Sequence, residues 1–428
     1  MKSLVSIEPA ALFAHLGRWL ALSSALGVLA GSASAFFLYA LDVATDTRLA
    51  HPWLLAGLPF AGFATGWVYH RIGRSVEGGN NLLIDEIHDP RRIVPKRMGP
   101  LVLAATVVTH LFGGSAGREG TAVQMGGALA DRLTVLAGLD RDARRILLMA
   151  GIAAGFSSVF GTPLAGAVFG LEVLAIGRLR YDALFACVIA AIVADAVCRL
   201  WGAHHTIYAV PLVPPLTLSG FASTLVAGVA FGLVGRLFAQ ATHALGARFK
   251  QRIAYPPLRP FSGGALVAAA ATALHAPQYL GLGIPTIEAA FHGPLPAYDF
   301  AGKFAFTVVT LASGFKGGEV TPLFYIGATL GNALGQVLAL PVPVLAAMGF
   351  VAVFAGAANT PIASTLMAIE LFGAPIGVHA LLACVVAYLF SGHMGIYRAQ
   401  RIGTGKHRPL PEDLRASELA TGRRADGA

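Results

Sequence analysis

Apolar residues gather into long, almost uncharged runs that glycine and proline interrupt. In the first half of the chain they cover 16–41, 53–70, 101–112, 146–160, 163–176 and 184–201. In the second half they cover 216–245, 261–274, 300–312, 322–340, 344–355, 361–372 and 376–390. A simple membrane span needs about 20 apolar residues, and many of these runs are shorter. Broken helices survive at membrane depth only where their bare ends are buried in protein or line a polar cavity. The pattern therefore predicts an all-α polytopic membrane protein of the transporter or pore type, not a bundle of anchors.

The interruptions repeat. Glu119, Thr121 and Gly127 recur as Glu319, Thr321 and Gly327. Gly151, Thr162-Pro163, Ala165 and Glu172 recur as Gly349, Thr360-Pro361, Ala363 and Glu370. The repeat halves are 16–201 and 216–397, in a single transmembrane domain. Each carries a glycine-rich loop opening a short helix, then a helix, a Thr-Pro break and another helix. Paired interruptions in the two halves point to a binding site near the bilayer midplane. The repeat alone leaves open whether the halves are parallel or inverted. The polar, charged tail at 398–428 is too short for a regulatory domain, and the first apolar run reads as a retained helix, not a cleaved signal.

Composition narrows the picture further. Only 12% of the residues are charged and 56% are hydrophobic, so part of the solvent must be lipid. A net charge of +9 could suggest nucleic acid, but the basic residues sit in short connectors. They are Arg91-Arg92 with Lys96-Arg97, Arg141 with Arg144-Arg145, and the stretches 248–252 and 398–408. This is the positive-inside distribution of cytoplasmic loops. Cys187, Cys198 and Cys384 lie in apolar stretches without metal-ligand or framework spacing, and read as small buried hydrophobes. No metal or cofactor is expected.

Four segments carry candidate chemistry. In Gly113-Gly-Ser-Ala-Gly117-Arg118-Glu119-Gly120-Thr121, glycines let backbone approach a ligand, and the following helix offers unpaired N–H groups and a positive dipole end. An acid there occupies the site built for an anion. Either Glu119 competes with a transported anion, leaving when protonated, or it is a first-turn capping glutamate. In Gly314-Phe-Lys316-Gly317-Gly318-Glu319-Val320-Thr321-Pro322, Pro322 suits the first helical turn, where no N–H is needed. The N–H groups of Glu319 and Val320 are expected to face the anion. Glu319 is a second intramembrane acid, functional by default, or else the partner of Lys316 in an ion pair. Glu77-Gly78-Gly79-Asn80-Asn81 offers uncharged carboxamide donors, or is an ordinary turn. Tyr397, just past the last apolar run, either aims a phenol into the pore or anchors the chain at the interface.

These segments, in this order, resemble the CLC family of chloride channels and proton-coupled anion antiporters over nearly the full chain. That family carries a Gly-Ser-Gly-Ile-Pro segment, a Gly-Arg-Glu-Gly-Pro segment, a Gly-x-Phe-x-Pro segment and a late pore tyrosine. Here they read Gly79-Asn80-Asn81-Leu82-Leu83, Gly117-Arg118-Glu119-Gly120-Thr121, Gly318-Glu319-Val320-Thr321-Pro322 and Tyr397. Asn80 stands where chloride-type members have the pore serine, Thr121 replaces a proline, and Glu319 and Thr321 replace neutral residues. These departures look like the fluoride/proton antiporter branch. The inner glutamate of proton-coupled chloride members falls at Val173, with Glu172 one residue early.

The resemblance implies two inverted-topology repeats whose broken helices meet at a midplane anion site, and a homodimer with one pore per subunit. It implies fluoride and protons as the transported ions and an integral membrane location, in a bacterial inner membrane. It gives Glu119 and Glu319 gating and proton-coupling roles, and assigns anion binding to Asn80, Glu319, Val320, Thr321 and Tyr397. Gly79, Asn81, Gly117, Arg118, Gly120, Thr121, Gly317 and Gly318 form the supporting loops. Alternatives are a chloride or nitrate/proton antiporter of the same family and a passive fluoride channel. A remote alternative, an intramembrane enzyme using Ser157-Ser158 with His110, His243 or His275, lacks any Gly-x-Ser-x-Gly or His-Glu-x-x-His motif. The exposed His204-His205 pair reads as a solvated connector.

Overall fold

Proline and glycine set the helix limits. The computed structural model describes residues 9–206 and 208–419. The first half of the chain folds as α1 (Pro9–Ala50), α2 (Leu58–Val68), α3 (Asn80–His88), α4 (Met98–Leu111), α5 (Glu119–Leu136), α6 (Arg141–Phe160), α7 (Pro163–Glu172) and α8 (Leu184–Leu200). The second half folds as α9 (Leu218–Arg252), α10 (Leu258–Ala273), α11 (Ile284–Ala289), α12 (Asp299–Ser313), α13 (Val320–Leu334), α14 (Val342–Ala358), α15 (Pro361–Phe372) and α16 (Gly377–Phe390). Pro163 and Pro361 open α7 and α15 at positions where the missing N–H is harmless. Gly161 and Asn359, equivalent in the two halves, end α6 and α14 in left-handed geometry.

The halves match helix for helix. In the first, α1 packs on α6 and α8, α5 on α6, and α6 on α7 and α8. In the second, α9 packs on α14 and α16, α13 on α14, and α14 on α15 and α16. Their sense is inverted. The equivalent helices α2 and α10 pack together, and the late residues Thr65 and Gly66 of α2 share a cavity wall with the early residues Arg259 and Pro260 of α10. The equivalent acids also exchange partners across the junction. Glu172, ending α7, accepts the N–H groups of Ile362 and Ala363 at the start of α15, at 3.1 and 2.8 Å. Glu370 accepts those of Leu164 and Ala165 at the start of α7, both at 2.8 Å. Each carboxylate satisfies the orphan donors of the opposite half.

Helices approach closely where small residues meet. A methyl group at Gly126 would stand 2.1 Å from the carbonyl oxygen of Gly151, and one at Gly327 would stand 2.0 Å from that of Gly349. Such small-residue seams are how helices pack when lipid supplies no hydrophobic drive. Among the described residues, four helical stretches are long and apolar enough to cross a bilayer: Leu12–Ala50, Arg141–Phe160, Tyr181–Leu200 and Leu218–Arg252. The remaining apolar helices are shorter, as the interrupted runs predicted.

Some elements depart from the apolar pattern. α1 and α9 run past their apolar cores into polar ends. The short polar helix α3 is not an apolar run at all, and a π-helical turn at Tyr69–Gly73 extends α2. α3 is held from below by a charge network. Arg144 pairs with Asp131 at 2.6 Å and Glu86 at 3.2 Å, while Glu86 accepts the Arg91 and Arg92 N–H groups. The basic connectors thus do more than set orientation. They fix the helix whose first residue is Asn80. The three cysteines are buried free thiols.

Candidate functional site

The two glycine-rich loops meet head to head. The Gly117 N–H donates to the Gly318 carbonyl at 2.6 Å and the Gly318 N–H to the Gly117 carbonyl at 2.7 Å, an isolated antiparallel bridge. This brings the N-termini of α5 and α13 to one point, where unpaired N–H groups and two positive dipole ends favour negative charge.

Glu119 fills that point. Its side chain is completely buried. One carboxylate oxygen accepts the N–H groups of Arg118 at 3.0 Å and Thr321 at 3.1 Å, and the other accepts the Thr321 hydroxyl in a very short hydrogen bond. The Arg118 guanidinium lies 3.8 Å away, its Nε buried without an acceptor. The acid therefore caps the opposite half of the protein more than its own helix. In α13 it is the Thr321 N–H that the Glu119 carboxylate accepts, one residue past the Glu319 and Val320 N–H groups expected to face an anion.

Glu319 is arranged differently. Expected as either a functional acid or the ion-pair partner of Lys316, it is half-buried. The Lys316 ammonium instead sits 4.3 Å from the centroid of the Tyr69 ring. Among the described residues no ion pair joins the two. Gly120 keeps the space beside Glu319 open: a methyl group there would stand 3.1 Å from Asn80 Nδ2 and 3.8 Å from Glu319 Oε2. Thr121 hydrogen-bonds Thr106 at 2.7 Å, hydroxyl to hydroxyl, and so braces α4 against α5.

Asn80 and Tyr397 come together across the interior. With Ile84, Val123, Ile152, Phe169 and Val173 they enclose a cavity of about 10 Å³, roughly the room one water-sized sphere needs. The Asn80 carbonyl oxygen is buried without a partner, and Gly79 enters α3 at φ 56, a conformation glycine adopts without strain. Asn81 is not at the cavity. Its Oδ1 accepts the Ala399 N–H at 2.9 Å, tying the segment after Tyr397 to α3. Gly317 sits at φ 154, and a methyl group there would stand 2.5 Å from Ala116 Cβ.

Wider spaces lie on either side. One, of about 630 Å³, has Arg48, Arg118, Asp42 and Trp201 on its walls. A narrower void of about 20 Å³ joins Arg118 to Thr321 and Phe324. The other, of about 380 Å³, is lined by Lys316, Lys250, Arg74, Arg259, Glu77 and Tyr69. Arg118 lines the first of these and Lys316 the second, so a basic side chain from each glycine-rich loop faces a cavity.

Comparison with known proteins fits this geometry. A family profile described as "Voltage gated chloride channel" matches residues 61–392. The chain belongs to the CLC family. A chloride/fluoride channel protein of Pseudomonas syringae pv. tomato is 60% identical over 95% of this chain and 92% of its own length. The H(+)/Cl(-) exchange transporter ClcA of Vibrio cholerae is 27% identical over 87% of this chain and 86% of its own. Among solved structures, a CLC-type fluoride/proton antiporter matches with TM-score 0.88 and 35% identity, covering 94% of this chain and 100% of that one. A slow cyanobacterial Cl-/H+ antiporter matches in fold, with TM-score 0.79 at 20% identity over 89% and 96% of the two chains. The protein is thus an integral, polytopic, mostly helical anion-transport protein with the CLC fold, its helices joined at one place by a short parallel pairing of Ala175–Ile176 with Arg401–Ile402.

CLC membership leaves no role for the serine-histidine reading. The Ser157 hydroxyl donates to the Ala191 carbonyl at 2.8 Å, and that of Ser158 to Ser34 at 2.7 Å. His243 bonds the Gly395 carbonyl at 3.0 Å. His110 reaches two backbone carbonyls, Thr106 at 2.9 Å and Ala116 at 3.1 Å, clasping the Glu119 loop to α4. Nothing in the sequence pattern marks His110 as a brace. Nor does it point to Gln400, whose Nε2 donates to the Val173 and Ala358 carbonyls at 2.9 and 2.8 Å. Neither belongs to a motif, so local pattern carried no signal for them.

Proposed function

We propose that this protein exports fluoride by exchanging it for protons, as a homodimer with one path per subunit in a bacterial inner membrane. The observation that carries the reading is the Glu119 carboxylate. It already occupies the joined helix ends and takes the Thr321 N–H and hydroxyl that an anion would take. Carboxylate and transported anion compete for one set of donors. A carboxylate and an anion repel each other over those donors, whereas a protonated acid can give them up to the anion. Anion entry therefore draws a proton onto Glu119, and proton loss returns the carboxylate and expels the anion. That opposition couples the two ions.

Fluoride is small and strongly hydrated, so a dry site must replace its water with strong donors. Asn80 and Tyr397, at a cavity of about one water-sized sphere, supply an amide and a phenol. A protonated Glu119 would add a short charge-assisted hydrogen bond. The 35%-identical solved structure is that of a fluoride/proton antiporter, and this likeness supports the same reading. The Pseudomonas relative is named a channel, which makes an uncoupled pore the second reading.

Purified protein in liposomes loaded with fluoride, then with chloride, tests both. Fluoride efflux with opposing proton movement and little chloride efflux is expected. Fluoride efflux without proton movement would establish the channel, and equal chloride efflux would overturn fluoride selectivity.

A further inference from the structure

The polar segment after Tyr397 carries no motif, yet it ends on an unusual contact. Lys406 turns back under the C-terminal end of α16. Its ammonium lies within hydrogen-bond distance of four oxygen atoms: Asn359 Oδ1 at 2.6 Å, the Tyr388 carbonyl at 2.5 Å, the Gly392 carbonyl at 2.5 Å and Ser391 Oγ at 3.0 Å. The Tyr388 ring closes a further side, its centroid 3.9 Å from the nitrogen. Three of the oxygens belong to the last turn of α16 and the residues just after it, where the helix dipole favours a cation. An ammonium has three protons to give, and this cage of four oxygens and an aromatic face offers it partners on every side, against a burial that lowers the Lys406 pKa to about 7.

What the cage holds is connected to the transport site. Asn359, buried and left-handed at the end of α14, divides its carboxamide. Its oxygen accepts Lys406, while its nitrogen donates to Gln400 Oε1 at 3.0 Å and the His393 carbonyl at 3.2 Å. Gln400 is fully buried and donates to the Val173 and Ala358 carbonyls. Val173 is itself part of the cavity wall that Asn80 and Tyr397 share. Between Asn359 and Gln400 the chain passes Ile396, whose N–H donates to the Ala357 carbonyl at 2.8 Å, and then Tyr397. On the far side, Ala399 bonds Asn81, the neighbour of Asn80. The Lys406 N–H donates to His393 Nε2 at 3.0 Å. Burial, with Lys406, His407 and Arg408 nearby, pushes the His393 imidazole down to about 4, so it is neutral and able to accept near pH 7.

We propose that Lys406 is a positioning residue of the transport site: its ammonium fills the oxygen cage below α16 and, through Asn359 and Gln400, fixes the Tyr397 phenol against the Asn80 cavity. A cation that merely capped α16 would stabilise the helix without affecting which anion fits. A cation that sets the Tyr397 position controls selectivity, because a cavity for one small ion loses discrimination when a wall shifts by a fraction of an ångström.

The test uses the full chain in strongly buffered liposomes, with anion efflux measured for fluoride and chloride separately. It rests on the fluoride reading, and wild-type protein run in parallel separates the two. Wild type without fluoride transport sinks that reading; a wild type that works leaves the Lys406 assignment to the variants. Lys406→Met is expected to lower fluoride turnover about tenfold and to narrow the fluoride-over-chloride ratio, and Tyr397→Phe is expected to narrow it in the same direction. Lys406→Ala with methylammonium on both sides is expected to recover turnover severalfold, because the small cation re-enters the cage. Gln400→Ala keeps the cage but breaks the link, so it should narrow the ratio as well; it decides the matter should the lysine variants not fold. Wild-type turnover and ratio in Lys406→Met would overturn the proposal. So would slowed transport with an unchanged ratio in both Lys406→Met and Gln400→Ala, since that is the behaviour of a plain helix cap.

Discussion

The two halves of the molecule present nearly the same loop, and the two loops behave differently. At the start of α5, Glu119 is completely buried, and its carboxylate collects two backbone N–H groups and a hydroxyl. At the equivalent start of α13, Glu319 is half-buried, and the lysine of its own loop has turned away to Tyr69. The threonines divide in the same way. Thr321 binds the acid of the opposite half, whereas Thr121 binds Thr106 within its own half. Inverted symmetry brings two identical devices together, but a single point between them can hold only one carboxylate. Two like charges there would repel strongly at low dielectric. The repeat builds the site, and broken symmetry leaves one of its two acids in it.

Breaking the occupied side should have the largest effect. Glu119→Gln removes the titrating group while keeping its shape, and coupled proton movement should fall at least about a hundredfold, read as lumenal pH change per fluoride released. Proton pumping at the wild-type ratio would exclude Glu119 as the coupling acid. Next is Gly117→Ala. The added methyl would stand 2.7 Å from Glu119 Oε2, so the carboxylate is pushed from its donors, and transport at a fixed gradient should change by about tenfold. A wild-type rate would mean that the acid does not need this position.

The threonine pair sharpens the contrast. Thr321→Val removes a hydroxyl from a carboxylate, an interaction worth about 1.5–3 kcal/mol, and should shift the proton dependence of fluoride efflux. Thr121→Val should leave that dependence unchanged. It should lower thermal stability by about 1 kcal/mol, because Thr106 loses its partner, and equal effects of the two variants would erase the distinction. The smallest effect is expected at the reciprocal caps. Glu172→Gln and Glu370→Gln each weaken charge-assisted bonds to helix starts and should lower the melting temperature similarly, without altering selectivity.

The repeat, the helical class and the glycine-rich loops were legible because they rest on local chemistry. Apolar runs report lipid, Thr-Pro reports a helix start, and a glutamate among glycines before a helix reports a carboxylate held by helix-start N–H groups. The chain order of these segments carried the family resemblance. Less visible were contacts between residues far apart in sequence. That Thr321 rather than Val320 engages Glu119 depends on how far α13 is advanced past α5. That advance is set by the Gly117–Gly318 bridge, which locks the two loops together just before α5 and α13. Asn81 and Asn80 look alike in the chain, yet Asn81 is spent on Ala399 and Asn80 faces the cavity, because adjacent residues of a helix point in different directions.

By itself, then, the sequence determined that this protein crosses a membrane as two repeated sets of broken helices, with an acid at the start of α5 and another at the start of α13. These follow from hydrophobic pattern and local capping, which act over a few residues. Tertiary structure decided that the halves are inverted, that one acid fills the shared point while the other does not, and that a lysine from the tail seats on Asn359 and the end of α16. Those outcomes depend on burial, dipole alignment and hydrogen bonds between distant segments, which exist only once both halves have packed around the same point.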